Sequence, residues 1–370
     1  PKPQTPNPLF EMAPRVIMGI KRLFNALKER FEERNISEFR GKRFGIDGMG
    51  WLYQAFYSLN EEIERIHMPL VRKMEAKFKL LQSNDIDFTV VIDGRRLQGK
   101  SLALEKRREK REQYKESAQS GEMIDLDQQT AYEKYSQEVT SKLVFFFVDY
   151  LKFKGFKYIV APYEADAQLA YMYQRGYIDH IAAEDSDFIA MSCFDMVRGI
   201  KREGTCTVLN VHSPPKPNEG ENWSRFYALT PERRIMFCIM NGCDYIDNLS
   251  GVGFTSLLNF YYGNRDLKET PFYEEMQRTL LRRHGEAAAE YIAQCRQIYH
   301  AFTAQLVYDA PSGKMVYMGK HHEKPEALEA YIGAKYIPTA SVKAYVDGTL
   351  DFDTLALRAR EEFDYERAIL

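Results

Sequence analysis

Short apolar runs recur along the first half of the chain, and stretches with helical periodicity separate them. The runs are RFGID (43–47), DFTVVID (87–93), YIVAP (158–162) and HIAAED (180–185). Short apolar runs that alternate with helical sequence are typical of an α/β protein. The pattern therefore predicts a mixed, largely parallel central sheet flanked by helices.

The remaining segments predict further elements. We expect a helix over MGIKRLFNALKERFEE (18–33), a charged helical insertion at 100–143 and a hairpin at 193–211. The prolines of HSPPKPNEGENW (212–223) predict a loop without regular structure. Beyond residue 230 the sequence is mainly helical, with one strand-like piece at 304–318.

These segments suggest a domain organisation within one compact unit. The proline-rich residues before Met18 are expected to be disordered. The full division is a disordered extension (1–17), an N-terminal region (18–116), the helical insertion (100–143), an internal region (144–260) and a helical C-terminal part (261–370).

Composition narrows the class of protein. The formal net charge is −2 with a pI near 6.5, so any surface for a polyanion must come from local charge segregation. Five cysteines form no CxxC pair, which favours reduced thiols and argues against a zinc site. No apolar run is long enough for a membrane span, and no signal peptide is visible, so we expect a soluble intracellular protein without a membrane partner.

Carboxylates follow the predicted strands. Asp47 and Asp93 end two runs, Asp185 and Asp187 end a third, and YEAD (163–166) follows the fourth. Each has an ordinary alternative explanation. Asp47 and Asp93 each precede a glycine, as in common turns. Glu164 and Asp166 would suit the first turn of a helix, and acidic strand-end loops are common.

The carboxylates nevertheless suit one chemistry when they are taken together. Ligands of α/β sheets bind at the carboxyl ends of strands, where these groups would meet. Magnesium prefers oxygen ligands, and two such ions roughly 4 Å apart can drive phosphodiester hydrolysis. The sequence adds Asp244, in GCDY (242–245), as a further candidate.

Several blocks carry a family resemblance. VAPYEADAQLAY, AEDSDF and MNGCDYIDNLSGVG resemble the signature blocks of the flap endonuclease/XPG 5′ nuclease family. MGIKRLF, IDG (46–48) and VIDG (91–94) resemble its amino-terminal blocks, and residues 301–355 resemble the C-terminal part of the exonuclease 1 branch. The resemblance covers about residues 18–365 and implies the 5′ nuclease (PIN-like) fold with a helical arch over 100–143.

The resemblance implies roles for individual residues. Two Mg²⁺ ions, replaceable by Mn²⁺, would share the carboxylates, with Asp166 between two sets. Lys100 and Arg107 would contact the scissile phosphate, although a solvated helix face also explains them. The sets are Asp47, Asp93 and Glu164 for one metal, and Asp185, Asp187 and Asp244 for the other.

It also implies DNA contacts. Tyr53 would stack on a nucleobase, unless it is a buried core tyrosine, and Arg108 and Arg111 would add positive charge to the arch. A helix–two-turn–helix at about 236–262 would hold duplex DNA and K⁺. In this motif, the candidate residues are Gly251 and Gly253 for DNA, and Asn241, Asn248 and Val252 for potassium. The amino-terminal Gly19 is also expected to lie near the DNA.

The activity implied is 5′-to-3′ exonuclease action on duplex DNA with 5′-flap endonuclease activity, in DNA repair and recombination in the nucleus. Partners would be DNA with a 5′ end, nick, gap or flap, bound by a monomer, and repair proteins that bind regions outside this chain. The alternatives are a replicative flap endonuclease and a catalytically silent XPG-like nucleic-acid-binding scaffold. Against the scaffold, all seven expected carboxylates are present.

The chain departs from the family pattern at four places. Seventeen residues precede Met18, and Phe254, Thr255 and Ser256 follow the Gly-x-Gly where relatives often have a lysine. Asn241 stands where a serine is usual in the exonuclease 1 branch, and Met49 stands where an aromatic residue is usual. These differences concern how DNA would be gripped rather than the carboxylate set.

Overall fold

The fold is built on a seven-stranded mixed sheet. The computed structural model describes residues 19–59, 65–119, 133–211, 222–263, 280, 282, 285–319 and 328–358. The predicted disorder of 1–17 lies outside the described residues.

The strand order is β1-β7-β6-β5-β2-β3-β4. The strands are β1 (Phe31–Asn35), β2 (Arg43–Asp47), β3 (Asp87–Ile92), β4 (Lys157–Val160), β5 (His180–Ala182), β6 (Met196–Arg198) and β7 (Thr205–Leu209).

Helices cover the sheet and form the rest of the described chain. Those of the first half are α1 (Leu23–Ala26), α2 (Gly48–Tyr57), α3 (His67–Ser83), α4 (Ser101–Gln119), α5 (Ser141–Phe153), α6 (Ala165–Gln174) and α7 (Asp187–Ala190). Those of the second half are α8 (Asn222–Tyr227), α9 (Pro231–Met240), α10 (Phe254–Gly263), α11 (Glu286–Thr303), α12 (Glu329–Ile332) and α13 (Val342–Val346). A separate antiparallel hairpin consists of β8 (Leu306–Asp309) and β9 (Lys314–Tyr317).

The four predicted runs are neighbouring parallel strands. β2 pairs in parallel with both β3 and β5, and β3 pairs in parallel with β4. The prediction of a largely parallel sheet flanked by helices is confirmed. Because the strands are parallel and adjacent, the residues that follow their carboxyl ends share one edge of the sheet.

Small residues allow the helices to approach the sheet closely. A Cβ at Gly45, in the middle of β2, would lie 2.5 Å from both Ile178 Cδ1 and Leu169 Cδ2. The neighbours Phe44 and Ile46 are fully buried. Burial of such side chains, at about 25 cal/mol per Å², is the main favourable contribution to folding.

The prediction of a helix through residue 33 is wrong from Phe31 onward, whereas Lys28–Arg30 still forms a short 3₁₀ helix. Phe31–Asn35 forms β1, which pairs antiparallel with β7 and extends the sheet. Phe24 and Phe31 pack edge to face, and the Arg198 guanidinium lies 3.5 Å from the centre of the Phe24 ring. Pairing with a distant strand overrides the local helical pattern here, because an edge strand gains a full ladder of backbone hydrogen bonds.

The predicted insertion contains the long helix α4. Only Ala103 of its side chains is buried, so α4 projects largely into solvent. Residues 120–132 lie outside the described residues, and α5 starts within the predicted range, at Ser141, where the Thr140 side chain caps it. In the described chain, none of the helices combines the length and apolar character needed to cross a bilayer.

The second half is mainly helical, as expected, with two additions to the prediction. The strand-like piece forms the two strands of the β8–β9 hairpin, and the predicted loop at 212–223 gives way to α8 from Asn222. Residues 212–221 of that loop lie outside the described residues.

Candidate metal centre

Two aspartates follow the central strands and are fixed by backbone amides. Asp47 ends β2, and its Oδ1 accepts a hydrogen bond of 2.8 Å from the Gly50 amide at the start of α2. Asp93 follows β3, and its Oδ1 accepts one of 2.7 Å from the Ala165 amide at the start of α6. In both cases a helix N-terminus orients a carboxylate at the edge of the sheet.

Burial makes these carboxylates costly to ionise. Burial raises the pKa of Asp47 to about 7, and the negative charges of Asp93 and Asp185 act in the same direction. Burial also raises the pKa of Asp93, and the charge of Glu164 adds to this effect. Groups with such shifts lie where a protein holds a compensating charge.

Three further aspartates form a tight cluster. One carboxylate oxygen from each of Asp166, Asp185 and Asp187 lies within 4.8 Å of the other two. Burial raises the pKa of Asp185 to about 6, with the charge of Asp244 adding to this. Burial, followed by the charge of Asp185, raises the pKa of both Asp166 and Asp187 well above the ordinary value.

The cluster has the properties of a divalent-metal site. Oδ1 of Asp187 is buried and has no hydrogen-bond partner in the described structure. A buried carboxylate oxygen left without a donor is costly, and a cation would satisfy it. The donors are all hard carboxylate oxygens, so the set fits Mg²⁺ or Mn²⁺.

Asp244 and the two predicted basic residues close the site. Lys100 Nζ lies 3.0 Å from Glu164 Oε1 and 4.0 Å from Asp244 Oδ2. Arg107, about two helical turns after Lys100, donates to Asp244 Oδ2 at 3.0 Å. Burial alone would lower the pKa of Lys100. The negative charges of Glu164 and nearby acids outweigh burial and raise that pKa well above its ordinary value.

The predicted residues are thus brought together. The carboxylates lie at one edge of the sheet, and the base of α4 places two cations against them. Seven carboxylates face two basic side chains, an excess of negative charge that favours added cations. The division of the seven between two metals stays a prediction.

Gly19 lies directly against the cluster. Its φ is +82°, and a Cβ there would overlap Asp185 Oδ1 and lie 2.7 Å from Asp187 Oδ1. The Gly19 amide is 3.4 Å from Asp244 Oδ1. Glycine is therefore required here both by its conformation and by the approach of the backbone to the carboxylates.

The other predicted DNA contacts surround this edge. Tyr53 is half-buried and stacks on Tyr57, with ring centres 6.2 Å apart. Arg108 is exposed on α4, whereas Arg111 lies 3.4 Å from Glu138. Tyr53 could therefore either stack on a nucleobase or serve as a core tyrosine, and the DNA contacts stay predictions.

The predicted helix–two-turn–helix corresponds to α9, α10 and the loop between them. Gly251 has a φ of +74°, and a Cβ at Gly251 or Gly253 would meet nothing within 4 Å. The Gly253 amide donates to Ser256 Oγ at 2.8 Å. The two glycines are therefore open to a ligand on the side where a side chain would project.

The candidate potassium residues already contact one another or the N-terminal segment. Asn248 Nδ2 donates to the Val252 carbonyl at 2.6 Å, and Asn241 Nδ2 donates to the Lys21 carbonyl at 2.6 Å. The Lys21 ammonium lies 3.1 Å from Asn248 Oδ1. A cation at these groups stays a prediction.

Two functional candidates were missed by sequence reasoning. The Tyr245 hydroxyl donates to Glu164 Oε2 at 2.8 Å, and its ring centre lies 5.3 Å from Lys100 Nζ. Gln305 Nε2 lies 3.4 Å from the same carboxylate oxygen. Tyr245 adjoins Asp244, which is a usable signal, whereas nothing in the local sequence marks Gln305.

Two known protein-family domains match the parts of the chain that carry the site. The chain matches the XPG N-terminal domain over residues 18–114 and the XPG I-region over residues 155–244. The chain belongs to the XPG family. The six strand-end carboxylates and Asp244 all lie within these two matched regions, as do Lys100 and Arg107.

Relatives of this XPG-family chain include exonucleases. Exonuclease 1 of Oryza sativa is 24% identical over 340 residues, covering 90% of this chain and 39% of the rice protein. Exonuclease 1 of Xenopus laevis is 26% identical over 348 residues, covering 91% of this chain and 46% of the frog protein. The expected likeness to exonuclease 1 is confirmed, and the chain spans less than half the length of these relatives.

A solved structure shares the fold. The catalytic core of Rad2 in complex with DNA substrate is 17% identical, with a TM-score of 0.51, and the match covers 77% of this chain and 85% of that one. The similarity confirms the predicted 5′ nuclease fold.

Proposed function

We propose that this chain is a metal-dependent 5′ nuclease that hydrolyses DNA phosphodiesters, acting 5′-to-3′ on duplex DNA and on 5′ flaps. The observation that carries the proposal is the carboxylate edge, where oxygens of Asp166, Asp185 and Asp187 lie within 4.8 Å of one another. Among the described residues, none donates a hydrogen bond to the buried Oδ1 of Asp187. Membership of the XPG family and likeness to exonuclease 1 relatives support the same activity.

The carboxylates would hold two Mg²⁺ ions. Asp47, Asp93 and Glu164 would serve one, Asp185, Asp187 and Asp244 the other, and Asp166 both. When bound, two such ions supply an activated water and a clamp on the attacking and leaving oxygens. The orphaned Asp187 oxygen and the raised pKa values of the buried acids are what this assignment explains.

Lys100 and Arg107 would stabilise charge on the scissile phosphate. Each is already paired with a carboxylate of the site. Once cations neutralise Glu164 and Asp244, the two basic groups would be free to donate hydrogen bonds to phosphate oxygens. Donors positioned in advance in this way act on charge that develops as the bond breaks.

The DNA would lie across the carboxylate edge, with the arch around its 5′ end. Tyr53, Arg108 and Arg111 would contact the reacting strand. Gly251 and Gly253 would approach the uncut duplex through backbone amides, that of Gly253 once its bond to Ser256 Oγ opens. Potassium would lie at Asn241, Asn248 and Val252, where the Val252 carbonyl already accepts a hydrogen bond from Asn248 Nδ2. Comparing DNA binding in KCl and NaCl of equal ionic strength tests this site.

The wider role follows from the relatives and is part of the proposal. We infer a monomeric nuclear enzyme of DNA repair and recombination, because the proteins that resemble the chain include eukaryotic exonucleases. A replicative flap endonuclease is the alternative, and the balance between duplex and flap substrates separates the two.

The test is a substrate panel. The chain would be incubated with Mg²⁺ and 5′-flap, nicked and 3′-overhang duplexes, beside Asp185→Ala. We expect cleavage by the parent chain, products with 5′-phosphate and 3′-hydroxyl ends, and almost none by the variant. Equal cleavage by the two proteins, or none by either, would contradict the proposal.

A further inference from the structure

The C-terminal segment 328–352 lies outside both XPG matches, yet it packs behind the metal centre. Its helix α13 carries Tyr345, which is completely buried. The hydroxyl of Tyr345 lies between two turns, one after β3 and the other after β4. Those turns carry the predicted metal ligands Asp93 and Glu164.

Hydrogen bonds join this hydroxyl to both turns. Tyr345 Oη donates to the Pro162 carbonyl at 3.1 Å and accepts from the Arg95 amide at 3.2 Å. Pro162 is two residues before Glu164, and Arg95 is two residues after Asp93. The Tyr336 hydroxyl lies 2.8 Å from Tyr345 Oη and 3.1 Å from the same Pro162 carbonyl, so it adds a second contact to the turn after β4.

The glycine of the first turn shows how close this contact is. A Cβ at Gly94 would overlap both the Tyr345 hydroxyl and the Ala161 carbonyl oxygen. The Gly94 amide donates to the Tyr163 carbonyl at 2.7 Å. The two turns and the hydroxyl therefore form one tightly packed unit, in which a side chain larger than glycine would not fit.

The same segment also supports the part of the chain before Lys100. A Cβ at Gly99 would lie 2.7 Å from Tyr331 Cδ1, and the Tyr163 hydroxyl donates to the Ala334 carbonyl at 3.1 Å. These two contacts join the C-terminal segment to residues next to Lys100 and Glu164.

We propose that Tyr345 is a positioning residue, whose hydroxyl sets the spacing of Asp93 and Glu164 for one divalent cation. The proposal rests on the proposed function, because it assumes that these carboxylates bind metal. Tyr345→Phe keeps the buried ring and removes only the bridging hydroxyl. Loss of a group that orients metal ligands typically weakens metal binding or activity about 10- to 100-fold.

Tyr158→Phe is the matched control. The Tyr158 hydroxyl donates to the Asp347 carbonyl at 2.8 Å, so it joins β4 to the end of the same helix α13. Both variants therefore lose one hydroxyl bond to a backbone carbonyl, and Tyr345→Phe also loses the bond from the Arg95 amide. Of these two hydroxyls, that of Tyr345 is the one that contacts the turns that carry the ligands.

The experiment measures Mg²⁺ binding by calorimetry without DNA, and then kcat and KM on a 5′-flap duplex at saturating Mg²⁺. We expect Tyr345→Phe to bind Mg²⁺ roughly tenfold more weakly and to lose kcat with little change in KM, while Tyr158→Phe matches the parent. Tyr336→Phe should show a smaller loss in the same direction, which keeps the test usable if Tyr345→Phe does not fold.

Two results would overturn the inference. Parent-like Mg²⁺ binding and kcat in Tyr345→Phe would show that the hydroxyl positions nothing, and equal losses in Tyr345→Phe and Tyr158→Phe would show a general effect on stability. A parent chain that neither binds Mg²⁺ nor cuts DNA would instead contradict the proposed function itself, and the inference with it.

Discussion

Lys100 Nζ lies 3.0 Å from Glu164 Oε1, in an ion pair whose two side chains are both more than four-fifths buried. Such a pair balances the buried carboxylate while no cation is bound, and it holds the ammonium at the edge of the reaction site. The pair therefore links metal binding to the freedom of Lys100, because a cation at Glu164 would compete with the ammonium for the same oxygens.

Lys100→Ala should slow cleavage roughly 100-fold while changing DNA affinity much less, because its contact with the phosphate is made at the reacting centre. Single-turnover cleavage rates and DNA-binding isotherms measure the two effects separately. Arg108→Ala, which removes an exposed cation from the same helix, is the control and should affect binding more than rate. Parallel losses of rate and affinity in Lys100→Ala would point to simple electrostatic attraction.

Tyr245→Phe should reduce the cleavage rate about tenfold, because Glu164 loses the hydroxyl that fixes Oε2 at 2.8 Å. The ring stays in place beside Lys100, so DNA affinity should change little. Tyr173→Phe removes a comparable hydroxyl bond, to Asp195, and serves as the control. The idea fails if both variants cut at the parent rate in a single-turnover assay.

Gly19→Ala should abolish Mg²⁺ binding and cleavage, because the new Cβ would overlap Asp185 Oδ1. Gly41→Ala is a close control, since Gly41 also has a positive φ, +73°, but a Cβ there meets nothing within 4 Å. Each variant should lose roughly 1 kcal/mol of stability from backbone strain. Calorimetric Mg²⁺ binding distinguishes them, and retained binding in Gly19→Ala would contradict the described approach to the carboxylates.

The metal-free protein should lose stability as pH rises. The folded state raises the pKa of Asp47 to about 7 and that of Asp185 to about 6. An unfolded aspartate titrates near 3.9, so the folded protein holds these protons more tightly. Their contribution to stability is fully present below about pH 4 and is lost as pH rises to about 7.

Thermal unfolding in EDTA at pH 5.5 and pH 8 measures this effect. We expect a melting temperature lower at pH 8 by on the order of 5 °C, and recovery when Mg²⁺ is added. Asp187→Asn, which removes one buried negative charge, should stabilise the EDTA-treated protein at pH 8 and destroy activity. Equal melting temperatures for the parent and Asp187→Asn at pH 8 would argue against charge repulsion in the cluster.

Much of the site could be predicted because its signal is local. Apart from Asp244, each carboxylate follows a short apolar run or begins a helix, and parallel pairing of β2, β3, β4 and β5 brings the strand ends together. The family resemblance added Lys100 and Arg107 to the prediction, and the structure places both against the carboxylates at the start of α4.

The parts that could not be predicted depend on contacts between distant positions. Phe31–Asn35 has a helical pattern, but it pairs with β7 over 170 residues away. Tyr345 meets Pro162 across 183 positions, and Gln305 meets Glu164 across 141. A tyrosine or glutamine in a helical or strand-like stretch carries no local mark of such a partner, because tertiary packing alone creates the contact.

The central claim is that the buried carboxylates hold the metal that makes the chain a nuclease. The most direct measurement is the cleavage rate of a 5′-flap duplex as Mg²⁺ is titrated, for the parent chain and for Asp185→Ala. The account predicts no cleavage in EDTA, a saturable rise with Mg²⁺, and a rate for Asp185→Ala lower by at least roughly 1,000-fold. Cleavage that persists in EDTA, or an Asp185→Ala variant that cuts at the parent rate, would contradict it.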